Sequence, residues 1–340
     1  MHASLRVRSL GEPLQIGPVT VPNRVIMAPL SGISDRPFRE IAARLGAGLV
    51  VSEMVASEQL VAGDRESGMR AEKAGSGPHV IQLAGREARW MAEGAKAAED
   101  AGADIIDINM GCPAKKVTNG YSGSALMRDL DHALTLIEAT VGATGLPVTL
   151  KMRLGWDGGS MNAPELARRA EAAGVRLVTV HGRTRCQFYE GRADWAAIRA
   201  VKEAVSIPVV ANGDLASVDD LEAMLAQSGA DAVMVGRAAC GRPWLAGRLA
   251  AFAATGAAAP APDGDALADL VAGHYEAMVA WYGPHLGNRM ARKHLAWYAE
   301  AMPVPPAADI RRALVTGERP AEMLRLIARA FGGSPERIAA

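Results

Sequence analysis

The chain has 340 residues, 49% hydrophobic and 22% charged, enough apolar material for a sizeable core and too little bias for extensive disorder. Its 37 basic residues balance 37 acidic ones, so the surface is not coated with positive charge and any polyanion must meet a local patch. The widely spaced Cys112, Cys186 and Cys240 form no CxxC pair or Cys/His cluster, and so signal neither a disulfide framework nor a metal site.

At the start, Met1 to Leu10 carries Arg6 and Arg8 but no apolar stretch of signal-peptide type. No uninterrupted apolar run reaches spanning length, so a soluble protein of the reducing cytoplasm is expected, with a monomer as the simplest state. Leu14 to Val21 alternates around Gly17-Pro18 and predicts a hairpin suited to closing a barrel floor. Short apolar, β-branched runs then recur: Val25 to Pro29, Gly48 to Ser52, His79 to Leu83, Asp104 to Asn109, Pro147 to Met152, Arg176 to His181, Ile207 to Asn212 and Asp231 to Gly236.

Their starts lie roughly 30 residues apart, the length of one βα unit, and their near-continuous apolar character suits parallel strands buried on both faces. Eight units in succession favour a closed (β/α)8 TIM barrel over a doubly wound sheet. Between the third and fourth runs, Trp90, Met91, Gly94, Ala95 and Ala98 share one helical face. Before the eighth, Ser217 with Asp220 starts a helix, Leu221, Met224 and Leu225 line it, and Gly229 ends it. An Ala/Pro/Gly stretch predicts a linker at 253–264, dividing a barrel domain at 1–252 from a small all-α bundle at 265–340 built from four helices.

Functional side chains of such a barrel belong at the carboxyl ends of its strands. Polar residues gather there: Ser31, following Pro29 and Leu30 at the end of the first run, Ser52-Glu53 ending the second, Gln82 in the third, and Asn109 with Cys112-Pro113 at the end of the fourth. Lys151 and Arg153, His181 and Arg183, Asn212-Gly213-Asp214, and Gly236-Arg237 follow in turn. Gly213, Gly236 and Arg237 sit at the usual phosphate corner, where backbone N–H groups and a guanidinium hold an anion; the bland alternative is that the glycines only turn the chain. Lys151 ends a buried strand and needs an anionic partner, which an electron-rich flavin, a Schiff-base substrate or open solvent would each explain. Gln82 has both amide functions for the edge of a flavin. His181 taken singly is an ordinary mouth residue; beside Arg183 and Arg185 it suits a cofactor or nucleotide contact.

The run Asp107-Ile108-Asn109-Met110-Gly111-Cys112-Pro113, with Lys115-Lys116-Val117 and Gly123-Ser124-Ala125-Leu126-Met127, resembles the signature of the tRNA-dihydrouridine synthases. Further likeness runs through Ala28-Pro29, Asp35-Arg36-Pro37-Phe38, Lys151 to Trp156, His181 to Arg185, Asn212-Gly213-Asp214 and Gly236-Arg237-Ala238, in family order. The tail, through Arg292-Lys293-His294 and Trp297-Tyr298, resembles the bacterial B-type subgroup. Leu30-Ser31 and Asn119-Gly120-Tyr121 depart from the usual pattern.

The resemblance implies flavin mononucleotide (FMN) held by Pro29, Leu30, Ser31, Gln82, Lys151, Asn212, Gly213, Asp214, Gly236 and Arg237, with His181 beside it. It implies Cys112 as the acid that protonates C5 of a uracil while hydride passes to C6, with NADPH or NADH as reductant and no metal. Asn109, Arg153 and Arg183 become candidates for the target base and its phosphate, and Arg292 and Lys293 for tRNA. From His285 to Arg337 the tail holds nine Lys/Arg against five acids, a net charge of +4, which suits an RNA contact as well as a solvated face. The subgroup implies a uridine of the tRNA D-loop, position 17. Rival readings are a dihydroorotate dehydrogenase-like or ene-reductase-like flavin barrel for a small molecule, an idle RNA-binding barrel, and a Schiff-base barrel using Lys151.

Overall fold

The computed structural model describes residues 4–333. Two strands, β1 (Leu14–Ile16) and β2 (Val19–Val21), form an antiparallel hairpin turned at Gly17, whose φ of 58° suits glycine. Eight strands follow: β3 (Val25–Met27), β4 (Leu49–Ala56), β5 (Val80–Ala84), β6 (Ile105–Met110), β7 (Val148–Arg153), β8 (Leu177–His181), β9 (Val209–Asn212) and β10 (Ala232–Val235). Each pairs in parallel with its neighbours and β10 closes on β3, giving a closed TIM barrel with helices between the strands.

Local chemistry explains the helix starts. Asp35 caps the helix Arg36–Arg44 by accepting from the Phe38 N–H at 3.0 Å, with Pro37 in the first turn, where its missing N–H costs nothing. Ser217 caps Val218–Ser228, Asp220 bonds back to the Ala216 N–H, and Gly229 closes that helix in the left-handed region.

The inner face of the barrel changes character along each strand with period two. At the amino ends Ile26, Leu49, Val80, Ile105, Leu177, Val210 and Ala232 pack in one cluster with Leu14, Ile16 and Val21 of the hairpin. The hairpin is therefore the floor of the barrel, as the alternation around Gly17-Pro18 predicts. Two residues on, the same faces carry Gln82, Asp107, Thr179 and Asn212, all buried. One strand departs from expectation: β4 does not end at Ser52-Glu53 but runs on to Ala56, with a register shift between Val51 and Met54 against β5.

The chain divides into two compact units, one of residues up to 238 with 245–258, the other of 239–244 with residues from 259 onward. The last helix of the first unit, Leu245–Thr255, includes Ala253, where the linker was expected to begin. In the second unit the helices Gly264–Tyr282, Pro284–Ala301, Ala308–Thr316 and Pro320–Phe331 bury Val271, Met278, Leu295, Leu314, Met323 and Ile327. The first two approach so closely that a Cβ at Gly287 would stand 2.5 Å from the Met278 carbonyl oxygen. His274 and His294 meet edge to face at 4.9 Å within this bundle, and His274 Nδ1 lies 3.0 Å from the Tyr298 hydroxyl. Among the described residues no helix is long and apolar enough to cross a membrane. Glu336 and Arg337 of the tail charge count lie outside the described residues.

Candidate active site

The carboxyl ends of β5 to β9 bring together most of the residues singled out by sequence. Register places Gln82 beside Asp107, Asn109 beside Lys151, Arg153 beside His181, and His181 beside Asn212. Because the side-chain period of a strand is two, Asp107 and Asn109 point the same way, as do Lys151 and Arg153.

Cys112 is half-buried just beyond β6 and is held on both sides of its own peptide. Its N–H donates to Asn109 Oδ1 at 3.0 Å, and its carbonyl accepts from the Ser124 N–H at 3.1 Å and hydroxyl at 2.9 Å. Gly123 makes that second grip possible, since with φ of 60° a Cβ there would stand 2.8 Å from the Cys112 oxygen. Next to the cysteine, Arg153 Nε donates to the Gly111 carbonyl at 2.9 Å. The Gly-Ser run of the sequence signature is thus a clamp on the cysteine loop.

Arg153 is 1% exposed, and its Nη1 donates to the Thr184 and Phe188 carbonyls, both at 2.8 Å. Arg183, 2% exposed, grips Asp214 through two hydrogen bonds of 2.9 and 2.7 Å and also binds the Glu190 and Gly191 carbonyls. Both arginines therefore brace the loop after β8 from within. Burial works against the Asp214 carboxylate, but Arg183 and the Ala193 N–H outweigh it and hold its pKa below the ordinary value. Asp214 is spent on Arg183, and Gly213, with φ of 117°, has Ala193 and His181 so near that a Cβ would collide at 2.7 and 2.9 Å.

Lys151 donates through Nζ to Asn212 Oδ1 at 3.1 Å, and Asn212 in turn donates to the Met234 carbonyl at 2.9 Å. Burial first, then the Arg153 charge, lowers the Lys151 pKa to about 8, against the pull of Asp107 and Cys112. His181 is pushed well below its ordinary pKa by burial and then by the positive charges of Lys151, Arg153, Arg183 and Arg237. Its Nε2 lies 3.3 Å from Arg183 Nη1. Since guanidinium only donates, Nε2 is the acceptor and the neutral ring carries its proton on Nδ1.

On the first strand's loop, Ala28 N–H donates to the Val235 carbonyl, the Leu30 N–H donates to Ser34 Oγ at 2.7 Å, and Ser31 is exposed. Gly32 N–H donates to the buried Glu53. Gly236 differs from Gly213: the one atom within 4 Å of an added Cβ would be Asn212 Nδ2, at 3.9 Å. Exposed Arg237 has its guanidinium 4.2 Å from the Tyr189 ring centre, and Arg153 lies 5.5 Å from the same ring.

Sequence reasoning assigned no role to Tyr189, Glu53 or Asp107. Tyr189 had no signal beyond its place in a mouth loop. Asp107 had one: an acid inside the apolar run Ile105 to Met110, on the face shared with Asn109. Among the described residues no three His, Cys, Asp or Glu side chains gather closely enough to hold a metal. Arg292 and Lys293 are half-buried on the helix Pro284–Ala301 of the second unit.

A closed parallel barrel with a clamped cysteine, a half-buried lysine and an open glycine corner at its mouth defines the class. The chain belongs to the dihydrouridine synthase family, whose profile matches residues 26–332. A probable tRNA-dihydrouridine synthase of Rhizobium leguminosarum is 59% identical over 90% of this chain and 94% of its own length. The tRNA-dihydrouridine synthase B of Xanthomonas campestris is 48% identical over 92% of this chain and 94% of its own. Among solved structures, histamine dehydrogenase from Rhizobium sp. 4-9 superimposes with a TM-score of 0.56 at 17% identity over 80% of this chain and 51% of that one, a likeness of fold.

Proposed function

We propose that the barrel mouth is the active site of a tRNA-dihydrouridine synthase that binds FMN and, with NADPH or NADH as reductant, reduces the C5=C6 bond of a D-loop uridine, at position 17 by likeness to the B-type relatives. The observation that carries the reading is the clamped Cys112, whose amide partner Asn109 stands in register with Lys151. A thiol and an ammonium fixed at one barrel mouth are the acid and the counter-charge that this reduction needs.

Three features support the fit of the flavin. Gly236 has open space where a Cβ would stand, the exposed Arg237 guanidinium lies over the Tyr189 ring, and Lys151 Nζ keeps donors beyond its bond to Asn212. Gly236 and Arg237 would hold the phosphate, Ser31 and Pro29 would border the ring through their backbones, and Lys151 would face its anionic edge. Gln82 and Asn109 each retain one amide N–H for the ring edge or the base. Reduced FMN, when bound, supplies a hydride to C6 of the uracil.

The rest is done by the chain itself. Cys112 delivers the proton of its Sγ to C5, and neutral His181 offers Nδ1–H rather than another charge. Arg153 and Arg183 keep the loop after β8 in place, with Tyr189 beside the phosphate corner. The uridine has to leave its stack to enter the mouth, so tRNA recognition rests on shape and backbone contacts, for which Arg292 and Lys293 are the candidates. Mapping dihydrouridine in tRNA from cells lacking this protein tests the reading. Loss at one D-loop site, restored by the gene, is expected; an unchanged map contradicts it.

A further inference from the structure

Asp107 is a carboxylate set in the middle of β6, 4% exposed, with no part in the reaction described above. Thr149 Oγ1 donates to its Oδ1 at 2.6 Å, and Gln82 Nε2 donates to its Oδ2 at 2.7 Å. Gln82 Oε1 then accepts from Asn109 Nδ2 at 2.7 Å, and Asn109 Oδ1 accepts from the N–H groups of Gly111 at 3.2 Å and Cys112 at 3.0 Å. Four side chains and two peptide groups form one chain of bonds.

An amide side chain has two faces and must choose which to present. Here both ends of the chain dictate the same choice. Burial raises the Asp107 pKa, while the bonds from Thr149 and Gln82 and the Lys151 charge favour the ionised form; as a carboxylate it only accepts, so Gln82 turns its NH2 toward Asp107 and its oxygen toward Asn109. Backbone N–H groups only donate, so Asn109 turns its oxygen toward Cys112 and its NH2 toward Gln82. We propose that Asp107 is a positioning residue that sets the direction of both amides and, through Asn109, the place of the Cys112 peptide and thiol. The inference rests on the reading of Cys112 as the proton donor, and deepens it.

Exchanging donor and acceptor tests it. Gln82→Glu alone sets two carboxylates face to face, which breaks the chain where both are ionised and lets it close only where the pair shares a proton, so the variants are compared across pH. Adding Asp107→Asn restores it, because the new Asn donates through its NH2 to the new Glu, which still accepts from Asn109, and Thr149 still donates to the Asn oxygen. Two readouts are taken: tRNA-dependent reoxidation of the reduced flavin, and alkylation of Cys112 by N-ethylmaleimide in flavin-free protein, followed by peptide mass spectrometry. Gln82→Glu is expected to change the alkylation rate by about tenfold or more, and the double variant to return it within about threefold of wild type, a coupling between contacting residues; reoxidation in the double variant stays below wild type, because the side chain at position 82 no longer has the amide N–H offered to the ring edge or the base. In alkylation, a double variant no better than the product of the Gln82→Glu and Asp107→Asn effects, or a Gln82→Glu indistinguishable from wild type at every pH, overturns the proposal. A wild-type protein that shows no tRNA-dependent reoxidation fails the functional reading instead, while the alkylation arm still decides the role of Asp107.

Discussion

The floor and the mouth of the barrel are built on the same strands and obey opposite rules. At the floor, Ile105, Leu177 and Val210 meet the hairpin residues Leu14, Ile16 and Val21 in an apolar cluster in which size and shape decide the packing. Two to four residues further along, buried Asp107, Asn109 and Asn212 and half-buried Lys151 and His181 are joined by directed bonds, so each side chain depends on which atom its neighbour presents. The floor supplies stability that tolerates similar shapes, and the mouth spends it on groups that are costly to bury.

Removing the thiol breaks this division most sharply. Cys112→Ala should lower tRNA reduction by about 10²- to 10⁴-fold, the usual contribution of a positioned acid, while flavin content and melting temperature stay close to wild type. Measuring turnover and bound flavin on one preparation checks it. At the floor the effect inverts: Leu177→Ala should cost about 2–5 kcal/mol in denaturant unfolding, with activity per folded molecule little changed.

Lys151 sharpens the comparison through pH. Its pKa in the folded protein is lowered to about 8 from 10.5, so between those values the unfolded chain holds more protons. Stability from this group is therefore poorest below pH 8 and rises as pH climbs toward 10.5. Thermal melts across that window should show a rise for wild type that Lys151→Met lacks. The smallest effect is expected from Arg292→Ala and Lys293→Ala, which should weaken tRNA binding with little loss of turnover at saturation and reduce the salt slope by about one per lost phosphate contact. Titrations of tRNA at several salt concentrations measure this.

What was legible in the sequence follows the same boundary. All eight barrel strands and the floor hairpin announce themselves, because apolar burial leaves a periodic mark on each segment by itself. The end of β4 was misread because Ser52 and Glu53 look like a polar terminus, whereas a register shift lets the strand absorb both and continue to Ala56. In the mouth, residue types were readable but partners were not. That Arg183 is bound by Asp214, Arg153 by the Gly111, Thr184 and Phe188 carbonyls, and Gln82 by Asp107 depends on the register between strands, which no single segment encodes. Cys112 was found through a long family signature, while Asp107 in the same signature gained a role only when Thr149 and Gln82 were seen beside it.

The central claim is that Cys112 and Lys151 serve one flavin at one barrel mouth. Its most direct test is a single-turnover experiment in which the flavin is reduced anaerobically and mixed with tRNA that lacks dihydrouridine. Fast flavin reoxidation with one dihydrouridine formed per flavin is expected for wild type, and a flavin that stays reduced for Cys112→Ala. Equal reoxidation by both proteins, or none by wild type, would contradict it.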